Sequence, residues 1–408
     1  MTEERERLAA QHLAARARAS QRTARQRVRL TLLQALGLLW GAGATGKEPT
    51  TGAIGPSSIL VIRPDHLGDL LFAVPALRRL RAAYPYARIT ALVGPWGEPV
   101  LARTPYVDDI LTCPFPGFLR MPKGSFLAPY RTLWYHALAL RARRFDLALI
   151  LRFDHWWGAL LAALAGIPWR VGYDVAEVKP SLTSAVPYRP GRHEVIQNLA
   201  LLGGMVGSAM DEGITWREEP LEFALSDADK AWARDYLGQD DDKGWIAFHP
   251  GAGAAVKRWR AEAWAEVGDA LAARFGARIV ITGSVGERPL AEEIARRLRV
   301  PARIAAGETT LPHLAALLHR CRLVIGPDSG PLHLAVAVGT PTVHLYGPVD
   351  AALFGPWGDP QRHRVVRSAW ACVPCNRLDY ADKELPLHGC VRDISVGQVV
   401  AAAEEAWQ

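Results

Sequence analysis

The amino-acid sequence predicts an α/β protein: two doubly wound, parallel-sheet halves behind a basic helical arm. Three observations carry this. Short, continuously apolar runs alternate with segments of helical spacing, the pattern of strands buried on both faces and joined by right-handed crossover helices. The alternation stops at a polar stretch over residues 211–219 and resumes after Asp240-Asp241-Asp242. The 408 residues also exceed one ordinary core, at ~100–200 residues per domain.

Residues 3–36 hold neither proline nor glycine and are rich in Ala, Arg, Leu and Gln, so a helix is expected over 3–40, polar first and apolar from Val28 to Trp40. Two readings of this arm stay open. It is a solvated helix packing its apolar end on the body, or an interfacial helix with arginines at anionic headgroups. Residues 41–58, with several Gly, Thr, Pro and Ser, form the linker. In the first half, residues 59–62, 89–93, 109–112, 147–151 and 169–172 read as strands, and residues 70–84 as a helix. In the second half the clearest strands are 245–249, 278–282, 323–325 and 342–346, with helices over 260–275, 289–299 and 311–319 between them. Residues 395–407 read as a last helix. The division is a 1–57 arm and linker, a 58–215 domain, a 216–394 domain, and a 395–408 helix.

Half of the residues are hydrophobic and 22% are charged, which excludes a disordered chain. The net charge is +7, but residues 1–30 carry eight arginines and three glutamates, leaving the body only +2. The uncharged stretch that follows the basic segment, residues 30–46, falls short of the ~20 apolar residues that span a bilayer. Arginines before an apolar run ending in Ala42-Gly43-Ala44 resemble a signal peptide, but the 29 residues ahead of that run are unusually long for one. The expectation is a cytoplasmic protein whose arm touches the inner face of the cytoplasmic membrane.

In open parallel sheets, ligands bind beyond the carboxyl ends of the strands. Three loops there have suggestive composition. In Pro64-Asp65-His66-Leu67-Gly68-Asp69, Gly68 permits close backbone approach, and Asp69 is either a helix cap or a carboxylate able to take a proton from an alcohol. In His249-Pro250-Gly251-Ala252-Gly253-Ala254, small residues open the backbone to phosphate, and Lys257, Arg258 and Arg260 follow. In the loop 326–333, Asp328 and Ser329 can cap a helix with Pro331 in its first turn and His333 one turn in. The helix after it is apolar all round and therefore buried, with its N-terminus open to an anion. Neither a Walker loop nor an H-E-x-x-H motif is present.

The segments ILVIRPDHLGDL (59–70), HPGAGAAVKRW (249–259) and GPDSGPLHLAVAVGTPTVHLYGP (326–348) together resemble the ADP-heptose:lipopolysaccharide heptosyltransferases, glycosyltransferase family nine. The resemblance covers residues 58–408. It implies a GT-B fold of two Rossmann-like domains facing a central cleft, with the acceptor on the first, the nucleotide sugar on the second, and the 395–408 helix packing back on the first. It implies inverting transfer of a heptose from ADP-heptose to a hydroxyl of a lipopolysaccharide inner-core acceptor, without metal or other cofactor. Asp69 takes the family's catalytic-base position and Lys257 its phosphate-contacting lysine. Gly251, Gly283, Glu287, Asp328, Ser329, Gly330, Pro331 and His333 fall on the nucleotide-sugar site, Glu287 with uncertain spacing near the ribose. Physically, the base must act in concert with bond formation, because a carboxylate is too weak to ionise an alcohol beforehand.

Gly68, Arg120 and Lys123 are the acceptor-side candidates, the last two within a stretch of arginines and aromatics over 115–144 that suits a phosphorylated or carboxylated amphiphile. The same stretch also reads as an exposed helix and loop with ordinary arginines. Cys372, Cys375, His388 and Cys390 read either as a zinc-type ligand set or as free thiols with an occasional disulfide. A nucleic-acid partner is not expected, since no binding module accompanies the basic arm. The alternatives are a GT-B enzyme with another nucleotide sugar or a protein acceptor, and a non-catalytic sugar-binding or assembly protein on the same fold.

Overall fold

The apolar run SILVIR forms β1 (Ser58–Arg63), in which Ile59, Leu60 and Ile62 are fully buried. A strand covered on both faces cannot alternate polar with apolar, which is why this one reads as unbroken. It pairs in parallel with β2 (Arg88–Val93) on one side and β4 (Leu147–Ile150) on the other, Ile59 opposite both Ile89 and Leu147. With β3 (Asp109–Thr112), β5 (Trp169–Tyr173) and β6 (Ser184–Val186), the sheet order is β3-β2-β1-β4-β5-β6. Asp146 fixes the start of β1 beside β4 by accepting from the Ser57 amide, the Ser57 hydroxyl and the Ser58 amide at 2.9, 2.7 and 2.9 Å. The flanking helices are α1 (Leu67–Ala83), α2 (Ala128–Arg143), α3 (Trp156–Leu164) and α4 (Glu194–Val206).

The structure is a computed structural model and describes Arg7 and residues 55–118, 128–206, 213–238 and 244–407. The arm helix and most of its linker, Arg120, Lys123 and the Asp240-Asp241-Asp242 boundary lie outside the described residues. The chain divides into two compact units, with the change between Ile214 and Thr215.

In the second unit, β7 (Trp245–Phe248), β8 (Arg278–Ile281), β9 (Ala302–Ile304), β10 (Leu323–Pro327), β11 (Thr342–Tyr346) and β12 (His363–Arg367) form a parallel sheet ordered β9-β8-β7-β10-β11-β12. Counted within its own half, this is the order of the first sheet. Its helices are α5 (Asp227–Leu237), α6 (Ala261–Phe275), α7 (Arg288–Arg297), α8 (Leu311–Arg320), α9 (Gly330–Ala337) and α10 (Val396–Trp407). Ser226 opens α5 with a reciprocal capping box to Asp229. Trp264 packs on Phe248 at 5.0 Å between ring centroids inside the core. Trp259 is buried as well, and its indole donates to the Ile394 carbonyl at 3.0 Å.

α10 lies on α6 and on β10, β11 and β12, with Val399, Ala403 and Ala406 in the core of its own domain. Its apolar stripe matches that sheet, and Phe275 stacks on Trp407 at 4.4 Å.

Candidate active site

Both sheets reverse direction between their first and fourth strands, so the switch points lie between β1 and β4 and between β7 and β10. Loops leaving those strands are where a doubly wound sheet binds ligands. The loop after β1 carries Asp65 and Asp69, and the loop after β4 carries Arg152 and Asp154. The loop after β7 carries Gly251 and Lys257, and the loop after β10 carries Asp328 and Ser329.

In the first domain Arg63, the last residue of β1, is buried among carboxylates. Its guanidinium lies 2.6 Å from Asp65, 2.8 Å from Glu194 and 3.7 Å from Asp69. It also donates to Asn198 at 2.9 Å, and the Asn198 amide donates to the Phe72 carbonyl of α1 at 3.1 Å. Arg152 reaches the other oxygen of Asp65 and holds Asp154 at 2.5 Å. A buried charge persists only when paired, and this network pairs each of its buried charges. Burial alone would raise the Asp65 pKa, but Arg63 and Arg152 hold it below the usual carboxylate range.

Asp69 differs. It does not cap α1: the cap position is His66, and Asp69 sits inside the first turn beside Gly68. Burial and then the Asp65 charge push its pKa up to about 7, with Glu194 adding to the rise and Arg63 and Arg152 opposing it. Its side chain is still 33% accessible, so the carboxylate can meet a ligand. Four acids and two arginines thus yield one ionised structural carboxylate, Asp65, and one acid poised near neutrality, Asp69.

In the second domain Lys257 ends a single turn of helix, Ala255–Lys257, and donates to Asp328 at 2.9 Å. Tyr346 from β11 donates to the other Asp328 oxygen at 3.3 Å, and His333 Nε2 lies 3.7 Å from that oxygen. Burial opposes ionisation of Asp328, but the His333 contact and the Lys257 charge keep its carboxyl well below the usual range. Asp328 is therefore an anchor for Lys257 and not a cap. Ser329 occupies the cap position of α9 without side-chain capping, and its hydroxyl is buried with no hydrogen-bond partner. Gly330 and Pro331 open the first turn, where Pro331 has no N–H to leave unsatisfied and the Leu332 amide donates to the Ser329 carbonyl at 3.1 Å.

Gly251, Gly283 and Glu287 come together beside this group. A Cβ on Gly251 would stand 2.0 Å from Glu287 Oε1, and one on Gly283 would stand 3.1 Å from Glu287 Cβ. The Ser284 amide and hydroxyl both donate to Glu287 at 2.8 Å. His249 pairs with Thr282 at 3.0 Å, and burial lowers its pKa to about 4, so it stays neutral. Gly326 lets β10 pass the end of β7, since its Cβ would meet the His249 carbonyl at 2.9 Å.

The sequence reading misses Arg63, Arg152 and Glu194. The signal was available for the first two: both stand at the ends of the two switch-point strands, where a charged residue closing an apolar run is conspicuous. Glu194 comes from α4, more than a hundred residues on, and no local pattern ties it to β1.

The cysteine set is brought together in the fold. Cys372, Cys375, Cys390 and His388 do line one small cavity, with Val256, Trp370 and Tyr380. Among the described residues, however, no group of three or more His, Cys, Asp or Glu is placed to hold a metal ion. The Tyr380 ring lies 3.6 Å from His388, and burial raises the Cys372 thiol and pushes Cys390 up to about 12. All five cysteines are free thiols. Among the described residues no helix is long and apolar enough to cross a membrane.

Comparison with known proteins agrees with this fold. The family model of glycosyltransferase family 9 (heptosyltransferase) matches residues 133–384. Lipopolysaccharide heptosyltransferase 2 of Escherichia coli (strain K12) is 29% identical over 324 residues, 76% of this chain and 87% of that protein. Lipopolysaccharide heptosyltransferase 3 of the same strain is 31% identical over 303 residues, 71% and 82% respectively. The solved structure of E. coli ADP-heptose lps heptosyltransferase II is similar with a TM-score of 0.66 at 26% identity, over 86% of this chain and 98% of that one. With two Rossmann-like sheets of one strand order and a family match over more than half its length, this chain belongs to glycosyltransferase family 9, the heptosyltransferases, and is a glycosyltransferase of the GT-B fold.

Proposed function

We propose that this enzyme transfers a heptose from ADP-heptose to a hydroxyl of a lipopolysaccharide inner-core acceptor, with inversion at the anomeric carbon. The observation that carries the reading is Asp69. A carboxylate with a pKa of about 7, partly open to solvent at a switch-point loop, is matched to accepting a proton at neutral pH. The donor is assigned from the solved relative, which is an ADP-heptose lps heptosyltransferase, and the acceptor from the curated relatives.

In the proposed reaction, Asp69 takes the acceptor proton as the oxygen attacks and the glycosidic bond to the diphosphate breaks. Lys257 and the first-turn amides of α9 stabilise the charge that grows on the departing ADP. Asp328 holds the Lys257 ammonium in position beforehand, so little reorganisation remains for the transition state. The unpartnered Ser329 hydroxyl and His333 are assigned to the diphosphate and sugar, and Glu287 to the ribose hydroxyls, where a carboxylate acts as acceptor. Gly68, Arg120 and Lys123 are assigned to the acceptor. The arm over 1–57 is assigned to an anionic inner-membrane surface, with the enzyme on the cytoplasmic side.

A thermal-shift comparison of nucleotides tests the donor, because a ligand that binds only the folded state raises its stability. ADP should stabilise the enzyme where UDP and GDP do not; stabilisation by UDP or GDP in place of ADP overturns the heptose reading. Asp69→Ala should abolish transfer while leaving ADP affinity nearly intact, and normal turnover in that variant removes Asp69 as the base.

A further inference from the structure

We infer that the outer face of α2 is a docking surface for an anionic lipid bilayer. The helix buries Leu133, Ala137 and Leu140 against the first domain's core. Its opposite side leaves Tyr130, Trp134, Tyr135 and Leu138 exposed, at 50%, 58%, 70% and 52%. Tyr130, Trp134 and Leu138 stand four residues apart and so line one stripe, with Tyr135 next to it. Among the described residues these are four of the eight large apolar side chains left exposed, and the other four are scattered at Tyr86, Val285, Leu378 and Leu387. Single exposed apolar residues need no explanation, but a stripe of them on one helix does.

The charge around the stripe selects the occupant. Arg131 and Arg141 are exposed on the stripe's side of α2, Arg143 and Arg144 are exposed at its C-terminal end, and residues 110–145 contain six Arg or Lys and no Asp or Glu. Trp and Tyr rings settle at the boundary between headgroups and acyl chains, where the apolar body is buried and the polar tip stays wet. Arginines on the same face then reach lipid phosphates, each near an anionic surface worth about a five-fold gain in partitioning. A second copy of this chain fits less well, because two-fold pairing of the face brings its arginines against one another. The inference is independent of the donor assignment and of the arm.

The test uses the full-length chain in co-sedimentation with phosphatidylcholine vesicles, with and without about a quarter phosphatidylglycerol. Binding is expected only with phosphatidylglycerol. Trp134→Ser/Tyr135→Ser/Leu138→Ser and, separately, Arg131→Gln/Arg141→Gln should each lower it at least ten-fold, while melting temperature and turnover on a short water-soluble acceptor stay unchanged. Should the triple variant fold poorly, the arginine pair carries the test alone, since those side chains are exposed. Wild-type vesicle binding in the arginine variant overturns the proposal. So does equal binding to both vesicle types, or a change of oligomeric state in light scattering in place of a change in vesicle binding. Suppression of vesicle binding by RNA at low concentration also overturns it.

Discussion

The Arg63 guanidinium stands 3.7 Å from the Asp69 carboxylate, beyond hydrogen-bonding reach, while it binds Glu194 at 2.8 Å. The distance matters for chemistry. A direct bond would drop the Asp69 pKa and make it a poor proton acceptor, whereas the longer approach orients the acid and leaves its affinity for a proton near neutral.

The pH dependence of kcat/KM should therefore show an acid limb at about 7, set by Asp69. Glu194 raises that value, so Glu194→Gln should move the limb down by about one pH unit. Arg63 lowers it, so Arg63→Gln should move the limb up. Steady-state rates across pH 5–9 check both shifts, and two variants moving the same way would contradict this network.

The same displacement predicts a stability effect. The Asp69 pKa in the folded protein, about 7, lies above the ordinary 3.8, so folding favours its protonated form. That contribution is full below about pH 4 and is lost as pH rises through 7. Asp69→Asn should melt with the wild type at pH 4 and several degrees above it at pH 8, at ~2–4 °C per kcal/mol for a domain of this size.

Lys257 and Asp328 form a largely buried pair at 2.9 Å. Lys257→Ala leaves the carboxylate uncompensated, and a broken buried pair costs about 3–5 kcal/mol. The double variant Lys257→Ala/Asp328→Asn should regain most of that stability without regaining ADP affinity, which should stay about ten- to a hundred-fold weak, the loss of one charge-assisted contact of ~1.5–3 kcal/mol. Thermal melts with ADP calorimetry separate the two effects.

Gly251 offers a sharper steric test. Gly251→Ala puts a methyl where Glu287 Oε1 now lies, 2.0 Å away, and so must displace the carboxylate from Ser284. The donor KM should rise about ten-fold, ~1.4 kcal/mol, with kcat little changed.

The buried strands were legible because a two-sided strand leaves an unbroken apolar run; β1, β4, β7 and β10 all read this way. The edge strands β6 and β9 were not, being three residues long and only partly buried. Lys257, Asp328 and His333 were legible as loop residues, since small and charged residues after apolar strands stand out. Their grouping around Tyr346 was not, because it depends on β11 lying beside β10. The aromatic stripe of α2 was visible as composition, but its exposure follows from which side Leu133, Ala137 and Leu140 bury. The last helix was legible as an apolar stripe, which says that a surface is covered and not by what.

That helix has a consequence for how the protein could be taken apart. Because α10 closes on its own sheet, the described residues from 215 to 407 hold a whole core, an uninterrupted six-strand ladder and the Lys257–Asp328 pair in one continuous length of chain. Among the described residues, this sheet takes no strand from the chain ahead of Thr215. A single scission ahead of Thr215 would then release that sheet and its covering helices as one module.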